Sequence, residues 1–385
     1  VPCDAQVVYA EGFPADRDFY DKALADEAVK AAAEADKAVI FAGLPESFES
    51  EGYDRSHMRL PECQNRLITE ILKVQPNTVI VLHNGSPVEM PWLGEIKGLL
   101  ETYLGGQAGG AAAANILYGK INPSGKLAET MPLKLSDNPS YLNFGGGEKV
   151  EYREGIFVGY RYYDTKEMDV AFPFGYGLSY TTFAYSNLKL SMENPTEKDT
   201  VMVSADVTNT GKSAGKEVVQ LYLRDLTGSA IRPEKELKGF EKVFLEPGET
   251  KTVTMELNKR SFAWYNTKLH DWFAASGDYE ILVGASSRDI RLTETLHLNS
   301  SQRLPMHVHM NTTLGDLLRN PETAEAAKKL IQKYLSGEAG SEAASEAVSE
   351  EMTMAMTDSM PLRALMGFAG VSRKELDSVI EKLNK

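Results

Sequence analysis

The sequence predicts an α/β plus all-β chain: a parallel-sheet α/β sandwich, then an immunoglobulin-like β-sandwich, then a helical C-terminal tail. Three observations carry this. Early in the chain, short apolar runs alternate with stretches of helical period, the order of a parallel sheet with crossover helices. From 183 to 298 the pattern changes to period-2 alternation, rich in β-branched residues and divided by Asn, Gly and Pro-Gly turns. Beyond 310, Thr- and Ser-initiated helical patterns flank a low-complexity acidic stretch.

The elements follow in order. "AQVVYAEGF" is a short β-rich run, and "ALADEAVKAAAEAD" has the apolar spacing of a helix. "KAVIFAGL" is nearly continuous in apolar residues, the pattern of a strand buried on both faces. "LPECQNRLITEILKVQ" reads as an amphipathic helix with Pro61 at its start. "NTVIVLHNGSP" is a second buried strand, and "VEMPWLGEIKGLLETYL" should hold a short helix and a strand. "GGQAGGAAAANILYGK" is a glycine-opened helix; it lacks the Lys and Ser/Thr of a phosphate-binding P-loop.

The expected domains are an α/β sandwich over 1–160, an aromatic-rich connector over 161–182, a β-sandwich over 183–298 and a helical tail over 299–385 with an acidic linker at 336–352. The Gly-, Pro- and Tyr-rich stretch from 123 to 182 should be ordered and packed by its aromatics. "VMVSADVTNTG", "KEVVQLYLRD" and "GDYEILVGASSRDIRLTETLHL" are the clearest of the sandwich strands.

Composition removes several function classes. A net charge of −14 argues against nucleic acid or an anionic membrane as the main partner. No apolar stretch approaches the ~20 residues that a membrane-spanning helix needs. Cys3 and Cys63 are the only cysteines, too few for a disulfide framework and without zinc spacing. Free thiols in a reducing compartment are the expectation, which favours the cytoplasm. The chain opens on Val1 and shows no signal peptide, so the native start is expected to be absent. His307 and His309 in "MHVHM" could share one strand face, but no third ligand accompanies them. No metal or cofactor is expected. Trp92, Trp264 and Trp272 are expected to pack in cores rather than stack on a ligand.

The stretch with most chemical promise is "ESFESEGYDR". Glu46, Glu49, Glu51 and Asp54 crowd into one loop just past a predicted buried strand. Charged loops are usually only solvated. Clustered carboxylates can also bind calcium, although this spacing does not match an EF-hand. The position is the informative feature, because open parallel sheets bind ligands outside the carboxyl ends of their strands. His83 and Asn84 in "LHNGSP" fall at a second such end, where a turn role is expected.

Several stretches in this order resemble the C-terminal half of β-glucosidases of glycoside hydrolase family 3. They are "ESEGYDRSHMRLP", "VIVLHNGSPVEMPW", "GGQAGGAAAANILYGKINPSGKLAETMP", "YREGIFVGYRYYD" and "FPFGYGLSYTTFAYSNLKL". "LKGFEKVFLEPGETKTV" and "SGDYEILVGASSRDI" are similar to that family's fibronectin type III-like domain. The resemblance implies a retaining glycosidase acting on an oligosaccharide or an aryl or alkyl β-glycoside, with glucose favoured and xylose or arabinose as alternatives. It implies that a (β/α)₈ barrel, not recognised in this sequence, supplies the nucleophile, while this chain supplies a Glu acid/base. Glu51 is the best match for that role, and Glu49, two positions away, is the runner-up. Phe48 and Tyr53 would form a stacking wall for a sugar ring. Gly52 would let the backbone turn sharply, and Asp54 and Arg55 would hold the loop. A non-catalytic carbohydrate-binding or scaffold module is the competing expectation, and a homo-oligomer stays open.

Overall fold

The computed structural model describes residues 5–145, 147–334, 355 and 358–384. They fall into two units, Val1–Gln302 and Arg303–Lys385.

The first unit opens with helix α1 (Lys22–Glu34), capped by Asp21, whose carboxylate accepts the N–H groups of Ala23 and Leu24. Its small residues Ala25, Ala28 and Ala32 lie on one face and are buried. Strand β1 (Ala38–Gly43), helix α2 (Glu62–Val74), strand β2 (Thr78–His83) and strand β3 (Gly98–Glu101) follow. The strands form a parallel sheet in the order β1-β2-β3. Pro61 precedes α2 and offers no side-chain cap. Asp18 does that work from a distant segment, accepting the N–H groups of Glu62 and Cys63, each at 2.9 Å. Leu67, Ile68 and Ile71 of α2 close over Ile40, Ala42, Ile80 and Leu82. The Cys63 thiol is free and buried, and burial pushes its pKa up to about 11.

Three sequence expectations fail here. Strand β1 is not buried on both faces: Ile40 and Ala42 are buried, but Val39 and Phe41 are 43% and 51% exposed. Among the described residues, β1 is an edge strand covered on one side only. The β-rich run at 5–13 is not a strand either, and Val7, Val8 and Tyr9 are exposed. Propensity alone makes no strand without a neighbouring ladder. Between β2 and β3 the structure has turns and no helix.

Helix α3 (Gly109–Leu117) follows the glycine-rich stretch after one 3₁₀ turn. Short strands β4 (Met131–Pro132) and β5 (Val170–Phe172) then pair, with helix α4 (Tyr160–Thr165) between them. The aromatics pack this region only in part. Tyr160 stacks on Phe174 at 4.6 Å and Phe172 on Tyr176 at 5.1 Å. Tyr141, Phe144 and Tyr152, expected inside, are 50%, 62% and 80% exposed.

The β-sandwich has two antiparallel sheets. Strands β6 (Phe183–Leu190), β7 (Val201–Asn209) and β10 (Thr250–Leu257) make one, in the order β10-β7-β6. Strands β8 (Gly215–Asp225), β9 (Glu236–Leu245), β13 (Gly277–Ser286) and β14 (Asp289–Leu298) make the other, in the order β14-β13-β8-β9. A small hairpin of β11 (Trp264–Asn266) and β12 (Asp271–Phe273) intervenes. Strand β7 shows why the period-2 signal was strong: Val201, Val203, Ala205 and Val207 all point into the core. Trp92 is buried and donates to Asn65 Oδ1 at 3.0 Å, while Trp272 packs against the sandwich core under Arg260.

Ion pairs tie the connector to the sandwich. Lys126 Nζ lies 3.0 Å from Glu217 Oε1 with both side chains nearly buried, and it also donates to the Gly177 carbonyl at 2.9 Å. Arg288 Nε donates to Asp164 Oδ1 at 2.7 Å. Leu237 N–H donates to the Tyr160 hydroxyl at 2.8 Å.

In the second unit, Thr313 caps the helix Leu314–Arg319 and Ser372 caps the helix Arg373–Leu383. Its own core includes Leu317, Ala327, Leu362, Leu365 and Leu376. His307 and His309 share no strand face: 301–309 has no regular structure and both residues are exposed. The acidic linker expected at 336–352 lies outside the described residues, as does Cys3.

Removing one partner of a buried ion pair leaves the other desolvated and unmatched. Lys126→Met is therefore expected to cost about 3 kcal/mol of unfolding free energy. The double variant Lys126→Met/Glu217→Gln should recover most of that loss. Denaturant unfolding of both variants checks it.

Candidate active site

Three strand ends meet at one edge of the parallel sheet. Residues 44–60 leave β1, the turn 84–87 leaves β2, and Thr102 and Tyr103 leave β3. The 44–60 loop is fixed at both ends. Leu44 N–H donates to the His83 carbonyl at 3.0 Å, and Glu89 N–H donates to the Met58 carbonyl at 2.8 Å. Its first turn is closed by the Phe48 and Glu49 N–H groups, both donating to the Pro45 carbonyl.

The two carboxylates proposed from sequence sit in different environments. Glu49 is half-buried and fully engaged. Its Oε2 accepts the Gly85 N–H and its Oε1 the Ser86 hydroxyl, both at 2.6 Å. Arg55 completes the clamp: its Nη1 donates to Ser86 Oγ at 2.7 Å and to the Pro87 carbonyl at 3.1 Å, and lies 3.9 Å from Glu49 Oε1. Glu51 is exposed, and no hydrogen bond or ion pair to it occurs among the described residues. Of the pair, it alone presents a carboxylate free to meet another molecule.

The remaining candidates sort as follows. Phe48 packs edge-on against His57 at 5.7 Å, and Tyr53 is half-exposed with its hydroxyl donating to the Glu46 carbonyl. Arg55 lies against the turn 86–87, and its acidic partner is Glu49; Asp54 is exposed, with no hydrogen bond to it among the described residues. Gly52 is not in the left-handed region, and a Cβ there would meet nothing within 4 Å. The turn therefore does not need glycine at 52. The glycine that matters is Gly85, where a Cβ would lie 3.1 Å from the Glu49 carboxylate. Asn84 has a turn role: its Nδ2 donates to the Ser86 carbonyl at 3.0 Å.

Sequence reasoning passes over Ser86, Glu101 and Glu129. Glu101 ends β3, and its carboxylate accepts the Tyr103 N–H at 2.8 Å and Asn84 Nδ2 at 3.2 Å. Burial pushes its pKa up to about 7, the charges of Glu129 and Glu49 add to that, and the two donors oppose it. Burial also raises Glu129, with Glu49 contributing. The one available signal was position, since Ser86 and Glu101 both fall at the ends of predicted strands. A groove of about 770 Å³ lies along α2 between Arg66, Lys73 and Met90, and none of the loop candidates lines it. Among the described residues, no group of three His, Cys, Asp or Glu side chains is placed to hold a metal ion.

The comparisons with known proteins bear on this edge. Residues 13–180 match the glycosyl hydrolase family 3 C-terminal domain, and residues 217–287 match the fibronectin type III-like domain. The chain carries the C-terminal domain of glycosyl hydrolase family 3. It is 50% identical to the thermostable β-glucosidase B of Acetivibrio thermocellus across 98% of this chain and 50% of that protein. It is 41% identical to an exo-α-(1→6)-L-arabinopyranosidase of Bifidobacterium breve, covering 96% of this chain and 48% of that one. Among solved structures, it is similar to the family 3 β-glucosidase of Bifidobacterium adolescentis, with a TM-score of 0.77 and 42% identity over 85% of this chain and 48% of that chain. A β-glucosidase from Kluyveromyces marxianus in complex with glucose gives a TM-score of 0.69 and 46% identity over 73% of this chain and 34% of that chain. The chain thus spans about half the length of the curated relatives it matches.

The raised Glu101 pKa has a definite linkage sign. The folded carboxyl holds its proton to about pH 7, the unfolded one only to the ordinary glutamate value of 4.5. Between those values the folded state binds more protons, so this group's contribution to stability falls as pH rises across that window and then levels off. Glu101→Gln should remove this component, so the variant gains stability relative to the parent as pH rises from about 5 to about 8. Urea unfolding at the two pH values measures it. A parallel pair of glycine variants checks the loop geometry: Gly52→Ala should leave unfolding and loop proteolysis unchanged. Gly85→Ala should speed proteolytic cleavage within 44–60 by displacing Glu49.

Proposed function

We propose that this chain carries the acid/base half of a retaining β-glucosidase, with Glu51 as the proton donor and acceptor. The observation that carries the proposal is the division of labour in the loop. Glu49 is committed to its clamp, while Glu51 stands free beside it at the carboxyl edge of a parallel sheet. The match to a glycoside hydrolase family supports the reaction class.

Retaining hydrolysis uses two carboxyl groups about 5–5.5 Å apart across the scissile bond. In this proposal the nucleophile comes from a (β/α)₈ barrel domain of the same enzyme that faces the sheet edge. Glu51 first gives its proton to the leaving oxygen as the glycosyl–enzyme bond forms. It then takes a proton from the water that breaks that bond. Tyr53, half-exposed two residues away, offers a ring face to the sugar. The substrate would be a terminal β-D-glucoside of an oligosaccharide or of an aryl or alkyl alcohol. An L-arabinopyranoside is the second substrate to test, because two Bifidobacterium arabinopyranosidases are 41% and 42% identical to this chain over 48% and 43% of their own length.

The test is Glu51→Gln in the full-length protein. Turnover of cellobiose, whose leaving alcohol needs a proton, should fall by about 10²-fold or more. Turnover of 2,4-dinitrophenyl β-glucoside, whose leaving group departs unaided, should change far less in its glycosylation step. Azide should partly restore the rate. Normal activity on cellobiose would remove Glu51 from the role, and matched rates with L-arabinopyranosides would choose between the substrates.

A further inference from the structure

The turn after β2 is held from two sides, and this goes beyond any role given to it so far. From the β3 side, Glu101 Oε2 accepts Asn84 Nδ2 at 3.2 Å, and the same Asn84 amide donates to the Ser86 carbonyl at 3.0 Å. Asn84 is 1% exposed, so this contact is locked in the interior. From the loop side, the Ser86 hydroxyl is shared: it donates to Glu49 Oε1 at 2.6 Å and accepts Arg55 Nη1 at 2.7 Å. Glu49 and Arg55 flank Glu51 in sequence by two and four residues. The two ends of the segment bearing Glu51 are therefore fastened to one hydroxyl group.

We infer that Ser86, seated by Asn84 and Glu101, is a positioning residue that sets the loop carrying Glu51. It touches neither substrate nor the reacting atoms. Charge-assisted hydrogen bonds to Glu49 and Arg55 give it more hold than a neutral pair would have. With the hydroxyl absent, Glu49 keeps the Gly85 N–H and Arg55 keeps the Pro87 carbonyl, so the loop stays folded but loses the point that joins its two sides. A proton donor displaced by a fraction of an ångström transfers its proton less well, while binding and the nucleophile are untouched. This inference rests on Glu51 being the acid/base.

Three variants of the full-length protein test it: Ser86→Ala, Ser86→Thr, which keeps a hydroxyl, and Glu51→Gln as reference. Ser86→Ala is expected to lower kcat/KM on cellobiose about tenfold and on 2,4-dinitrophenyl β-glucoside less than about twofold. Ser86→Thr should restore most of the loss. A general folding defect would depress both substrates alike, so equal losses, or none, overturn the inference. If Glu51→Gln shows no dependence on the leaving group, the assignment of Glu51 fails instead. Hydrogen exchange then still decides whether Ser86 sets the loop. In Ser86→Ala the Gly85 amide, which donates to Glu49, should exchange at least about fivefold faster, while amides of the β7 core strand stay unchanged. Unchanged Gly85 protection overturns the inference whatever the kinetics show.

Discussion

Parallel pairing is the constraint on which this site depends. Strands β1, β2 and β3 run in one direction and in register, with Gly43 opposite His83 and Leu82 opposite Glu101. Three consecutive strands must then release their chains at the same edge. Residues far apart in sequence arrive together there. Glu49, Ser86 and Glu101 are neighbours because three strands end at the same level.

That convergence also concentrates charge. Glu49, Glu101 and Glu129 share a small volume, and each responds to it differently. Glu49 has Arg55, a hydroxyl and a backbone N–H around it. Glu101 has two uncharged donors and more burial, so it holds its proton close to neutrality. Unequal surroundings separate Glu49 and Glu101, two acidic groups of the same chemical type, into a brace and a nearly neutral anchor. The crowding visible in "ESFESEGYDR" is therefore only half of the electrostatics; the other half comes from strand ends elsewhere in the chain.

The connector between the α/β sheet and the β-sandwich works through a different device. Lys126 with Glu217 and Asp164 with Arg288 are ion pairs with one or both partners buried, and a backbone N–H of β9 reaches the Tyr160 hydroxyl. These directional contacts fasten the connector to the sandwich at several points. The stacked rings of Tyr160 and Phe174 add apolar area to the same contact. The exposed rings of Tyr141, Phe144 and Tyr152 lie outside it.

The local code in the sequence was sufficient for the sandwich strands and the capped helices of the tail. Alternation in "VMVSADVTN" specified a sandwich strand because a two-residue period leaves one arrangement that buries Val201, Val203 and Val207 together. Thr313 and Ser372 marked helix starts because capping is a contact between near neighbours. The family and the loop that bears Glu51 were also legible, since both reside in contiguous motifs. Three things were not. Glu49 and Arg55 took a partner in Ser86, more than thirty residues away. Glu101 gained its raised pKa from burial that the run "GLLETYL" does not encode. Strand β1 looked buried on both faces but has one open, because coverage depends on which elements stack over it. Sequence determined the contacts made within a few residues; tertiary structure decided every contact, and every shift in charge, that depends on where separate strands end.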